Sequence, residues 1–333
     1  MKILIVLLLT VATAFTQTDT LGDDAWNLAS EGKFEQAAET YQKILATNPD
    51  DSSALTNLSW CYLELKRFQE AADTARKAIA LDSKSYVALN NLGYALIRLE
   101  QHEAALDPLR TSIKIDGSYE KSRANLVAAL LKLDRKEEAI TELRAAILVY
   151  PNKTHYRRQV VGLLMQDGRF SDAVGDLEEL VKLEPYRANN YTSLGVAYAS
   201  TGQTTRALEA FQQAAILEPE NINYLRNLAF AQSAEGKDNE AIATLQQVIA
   251  KAPNDFDAVF FVATRYSNLG QLDEALNFGR QALSLRPDSG QAMMLVAMTF
   301  VSKGDMDAAR QYLPRLKELN PRNAAILEKA LAK

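Results

Sequence analysis

The stretch ANNYTSLGVAYASTGQTTRALEAFQQAAILEPEN, residues 188–221, decides how the whole chain is read. Leu194, Gly195 and Tyr198, then Ala207, Phe211 and Ala214, are small or apolar residues at helical spacing, and Gly202 and Pro219 interrupt the pattern. Glycine closes a helix readily because it enters the left-handed region without steric cost. Proline lacks a backbone donor and drives its predecessor out of helical geometry. The segment therefore holds two helices of about a dozen residues each.

Ala207 is one member of a row that runs through Ala37, Ala71, Ala105, Ala139, Ala173, Ala207, Ala241, Ala275 and Ala309, always 34 residues apart and with no insertion. A fixed period of this length marks stacked copies of one helical hairpin. Five residues before the alanine, glycine recurs at Gly32, Gly168, Gly202, Gly236, Gly270 and Gly304. Twelve residues before it stand Ala25, Ser59, Gly93, Gly195, Ala229, Ala263 and Ala297, with Val127 and Val161 as exceptions. Paired small residues let antiparallel helices approach to roughly 8–10 Å. Asp, Asn or Ser follows most of the prolines, as in Pro49-Asp50-Asp51, where the next helix needs an N-cap.

The set Tyr191, Leu194, Gly195, Tyr198, Gly202, Ala207, Phe211, Ala214 and Pro219 resembles the tetratricopeptide repeat. The resemblance covers residues 18–323 in nine repeats and implies an all-α solenoid, a right-handed superhelix of helix-turn-helix units whose concave surface holds a ligand. Residues 324–333 read as a short C-terminal capping helix that covers the last apolar face. Residues 1–17 read as a signal peptide and short lead-in, from Met1-Lys2, the apolar run up to Phe15 and the small-x-small Ala12-Thr13-Ala14. Export to the cell envelope follows as an expectation, with membrane attachment only if that segment stays uncleaved.

Composition narrows the function classes. Hydrophobic residues make up 47% of the chain, enough for a continuous core. With 37 basic against 42 acidic residues, a general nucleic-acid role is disfavoured. The single cysteine, Cys61, rules out an internal disulfide framework. The two histidines, His102 and His155, lie without a nucleophile at a matching phase. No phosphate loop or metal-binding pair is present, so neither catalysis nor a cofactor is expected.

Function is then sought on the face of each leading helix that does not hold the array together. Residues eighteen, fifteen, eleven and seven before the alanine point away from the core set on a helical wheel. They present Trp26, Trp60, Tyr94 and Phe230 at one phase, and in the middle repeats Asn90, Arg98, Lys121, Lys132, His155, Arg158 and Gln166. Fourteen before the alanine runs a second row, Asn57, Asn91, Asn125, Gln159, Ser193 and Asn227. It resembles the asparagine ladder of superhelical family members, whose amides grip the backbone of an extended peptide. An amide offers donor and acceptor alike, so it pairs with any peptide bond. The ladder breaks at Ser193, Phe261 and Leu295, confining such a grip to the first half.

These residues lead to a non-catalytic adaptor that binds an extended, acidic or carboxylate-bearing protein segment. The competing reading of the basic group is an ordinary solvated face. A second function has Trp60 and Tyr94 contacting sugar in a scaffold for polysaccharide handling or secretion. Repeats two to five depart most from the pattern. Glu100 and Asp134 replace glycine, Arg123 and Arg157 occupy apolar phases, and Pro108 sits inside a trailing helix, where a bend is expected, as it is at Pro314.

Overall fold

The structure, a computed structural model, describes residues 20–332 and over that span contains helices and turns with no strand. Residues 1–17, read as a signal peptide and lead-in, lie outside the described residues. The chain divides into two compact units, the first ending at Leu163 and the second beginning at Leu164.

In the first unit the leading helices are α1 (residues 20–30), α3 (Ser52–Glu64), α5 (Tyr86–Arg98) and α7 (Glu120–Lys132). The trailing helices are α2 (Phe34–Thr47), α4 (Phe68–Leu81), α6 (His102–Ile115) and α8 (Lys136–Val149). Helix α9 (Thr154–Gln166) carries the division. The second unit continues with α10 (Phe170–Leu183), α11 (Ala188–Ser200), α12 (Thr204–Leu217), α13 (Ile222–Ala234), α14 (Asp238–Lys251), α15 (Phe256–Asn268) and α16 (Leu272–Leu285). It ends with α17 (Gly290–Lys303), α18 (Met306–Arg310), α19 (Leu313–Leu319) and α20 (Pro321–Leu331).

Each periodic signal has a structural role. All nine row alanines are buried, and the six glycines five positions earlier take φ between 72° and 80°, the left-handed turn that ends the leading helix. Where glycine is missing, Lys66, Glu100 and Asp134 adopt the same turn at φ of 60°, 61° and 56°. The backbone thus keeps one turn geometry throughout and the side chain bears the strain. Asp51, Ser85, Asp255 and Ser289 cap the following helices through their side chains, each accepting from the backbone N–H three residues on.

In the first unit successive leading helices touch, α3 against α5 and α5 against α7, and successive trailing helices make no comparable contact among the described residues. The leading helices are therefore the shorter path and form the inner wall. At the starts of the trailing helices, Arg67 bonds Glu70 of its own hairpin and reaches Glu35 of the one before, and Arg135 does the same with Glu138 and Glu103. Arg123 is buried where other repeats are apolar, and its Nη1 lies 2.9 Å from Glu142 Oε2.

The two interior prolines behave differently. Pro108 sits within α6, which runs unbroken from His102 to Ile115. Pro314 is the second residue of α19, which follows a turn at Gln311 and Tyr312 that splits the last trailing helix, because the proline ring blocks the carbonyl four residues back. The capping helix starts at Pro321, ahead of the expected residue 324, since Asn320 accepts from Asn323 N–H and Pro321 suits a first helical turn. Its Ala324 and Leu327 are buried in the terminal core with Leu316 and Phe300.

Candidate functional site

The phase arithmetic brings residues from four leading helices of the first unit onto one hollow of about 520 Å³. Helix α1 contributes Trp26, and α3 contributes Asn57, Trp60 and Glu64. From α5 come Asn90, Asn91 and Tyr94, and from α7 come Lys121 and Asn125, with Tyr119 at its N-cap. The aromatic end is built tightly. Trp26 and Trp60 have ring centroids 5.7 Å apart at 43°, Phe34 meets Trp60 edge-on at 5.6 Å, and Trp60 Nε1 donates to Glu64 Oε1 at 3.0 Å. At the other end Tyr119 packs edge-on to Tyr86, and burial pushes its hydroxyl pKa up.

The amides divide their labour in a way that corrects the ladder expectation. Asn91, 3% exposed, donates to Thr56 O at 3.2 Å and Ser59 Oγ at 2.9 Å, so its amino group ties α5 to α3 instead of gripping a ligand. The cause is position. Fourteen residues before the alanine lies the seam between neighbouring leading helices, where a buried amide must be satisfied. Asn125 likewise donates to Asn90 Oδ1 at 2.9 Å, which also accepts from Ser122 Oγ at 3.3 Å. Among the described residues these bonds leave Asn91 Oδ1, Asn125 Oδ1 and Asn90 Nδ2 without a partner, one atom on each of three amides that line the hollow. Asn57 is half-buried on the same wall.

The remaining candidates lie elsewhere. Gln159 is exposed and lines a separate hollow of about 360 Å³ with Ala124, Ala128, Leu131 and Gly162. Asn227 belongs to the second unit, where it lines an apolar slot of about 320 Å³ beside Phe211 and Phe230. The basic group is dispersed. Lys121 lines the main hollow, but the Arg98 guanidinium stands 4.4 Å over the Phe68 ring and donates to Tyr94 Oη at 3.0 Å. Lys132 is exposed in the last turn of α7. His155 lies 3.6 Å from Glu120 and against Tyr156, and Arg158 donates to Thr154 Oγ1 at 2.9 Å.

Two acids escaped the sequence reading. Glu64 shares the phase of Arg98 and Lys132 one and two repeats earlier, so the same outward phase is the signal that finds it. Glu120 precedes the residue at the outward phase. Hydrogen bonds from Lys153 and Tyr156 hold its carboxyl below the usual range.

Sequence models described as tetratricopeptide repeats match residues 23–86, 86–119, 198–260 and 269–333, together about two thirds of the chain. A model of the bacterial transcriptional activator domain matches residues 151–220. No curated protein matches. Among solved structures, YrrB, described as a TPR protein with an unusual peptide-binding site, is 21% identical with a TM-score of 0.50, over 56% of this chain and 97% of its own. MamA is 22% identical with a TM-score of 0.48, over 52% of this chain and 94% of its own. MamA from Desulfovibrio magneticus RS-1 is 21% identical with a TM-score of 0.49, over 51% and 96%. At such identities the likeness is one of fold.

Proposed function

The chain belongs to the tetratricopeptide repeat family, and we propose that it is a non-catalytic adaptor holding an extended protein segment along the leading-helix wall of its first four hairpins. The observation that carries this is the hollow itself. Four successive leading helices contribute to it, and internal hydrogen bonds fix three of its amides, Asn90, Asn91 and Asn125, with an oxygen or amino group left on each without a partner among the described residues. Fixed amides pair with backbone groups at little entropic cost. Lys121, which has no ion-pair partner among the described residues, gives a carboxylate of the segment its contact. Export to the envelope is part of the proposal and rests on the sequence of residues 1–17 alone.

The test uses the full chain and a Trp60→Ala, Lys121→Glu double variant as baits for envelope proteins. A captured partner is then re-bound as a purified segment. The expected result is a segment that binds the wild type and loses at least about tenfold in affinity for the variant, with helicity unchanged. Equal binding to both overturns the groove assignment. The tryptophan pair favours a second reading, stacking on a neutral sugar, which predicts binding that hardly changes with salt, unlike a contact through Lys121.

A further inference from the structure

Resting on that groove reading, we propose that the α1–α3 end of the hollow takes a cationic side chain of the bound segment, an arginine or lysine, against the Trp26–Trp60 pair and the Glu64 carboxylate. The expectation from sequence was a groove selecting acid. The geometry adds the opposite charge at one end.

Three observations support it. First, Glu64 lines the hollow and accepts only the Trp60 indole N–H. It has no ion-pair partner among the described residues, whereas Glu35, Glu70, Glu103 and Glu138 in the first turns of the trailing helices are engaged by arginine. A carboxylate offers about four lone-pair sites, so the indole leaves room for a cation. Second, this chain places its own cations over aromatic rings repeatedly, as Arg67 over Tyr62 at 4.6 Å and Arg98 over Phe68 at 4.4 Å. No cation of the described residues stands over Trp26 or Trp60, although indole is the strongest acceptor of that interaction. Trp26 is 51% exposed and the pair stays open to an outside charge. Third, Lys121, the other charge lining the hollow, sits on α7. The hollow is therefore polarised, acidic and aromatic at α3 and basic at α7. At roughly 10 Å per leading-helix step and about 3.3 Å per extended residue, the two charges on the ligand stand about six residues apart.

The only two tryptophans of the chain both line this hollow, so intrinsic fluorescence reports its occupancy directly. Three capped nine-residue peptides of glycine and alanine serve as probes. One carries a single glutamate, one the same glutamate with arginine six residues away, and one has citrulline, the neutral analogue, in place of that arginine. With the full chain, the arginine peptide binds about five- to tenfold more tightly than the citrulline peptide. The advantage disappears in Glu64→Gln and persists in Lys121→Met, which instead weakens all glutamate peptides. Equal affinity for the arginine and citrulline peptides, with measurable binding of both, overturns the cation site and leaves the groove standing. No fluorescence change with any peptide, or a change with the neutral oligosaccharide cellohexaose alone, overturns the groove reading and the cation site together.

Discussion

Gly93 has no Cβ because Leu109 fills its place: a methyl group built there would lie 2.4 Å from Leu109 Cγ and 2.6 Å from its Cδ2. Leu109 is itself fully buried, on the trailing helix of the same hairpin, so it has nowhere to retreat. Gly93→Ala should therefore destabilise the protein by about 1–3 kcal/mol through overpacking, although alanine is the better helix former. Urea unfolding measures it, and Gly93→Ala combined with Leu109→Val should recover part of the loss. A gain in stability from the single change would show that the two helices are free to part.

The three hairpins that turn without glycine invite the opposite change. Lys66, Glu100 and Asp134 hold positive φ at a position where the chain elsewhere uses glycine. Each replacement by glycine should add about 0.5–1 kcal/mol, the relief of left-handed strain less the extra freedom glycine gives the unfolded chain. Because the sites lie in successive hairpins, the triple variant should show roughly additive gains in thermal midpoint. An unchanged or lowered midpoint would mean that the side chains compensate elsewhere.

Stability should narrow at both ends of the pH scale. The carboxyl pKa values of Glu120 and Glu178 are lowered, Glu120 first by the Lys153 hydrogen bond and Glu178 first by that from Tyr198. A lowered acid contributes stability that is present above its ordinary pKa of about 4.5 and lost as pH falls below it. Burial pushes the hydroxyls of Tyr41 and Tyr198 up to about 12, so their contribution is present below about 10 and lost as pH rises through the folded values. Thermal melts between pH 2 and 11 should fall off on both sides, and Glu120→Gln should soften the acid limb alone. An acid limb that does not respond to this variant would remove Glu120 from the account.

The fold was legible because its determinants repeat. Nine buried alanines and six left-handed glycines occur at fixed offsets, and one hairpin read correctly is all of them read correctly. The site was legible as a face but not as a set of contacts. Asn91 and Asn90 differ by one position and both line the hollow, yet which of their atoms stay available depends on Thr56 O, Ser59 and Asn125 in the neighbouring hairpins. Arg98 looked available until Phe68, also from the hairpin before, took its guanidinium face. Contacts across the period carry no signature within it, and the same holds for Glu64, whose lack of a cationic partner among the described residues is a property of three dimensions.

The unbroken 34-residue register makes the α13–α14 hairpin of the second unit an interchangeable part. Excising residues 222–255 would splice the end of α12 to the start of α15 with every offset preserved, because Asp255 and Asn221 stand at the same point in their hairpins and each caps the helix that follows. Evolution can thus lengthen or shorten that unit by whole turns of the pattern while the tryptophan-lined hollow, built from residues 26–125, keeps its sequence intact.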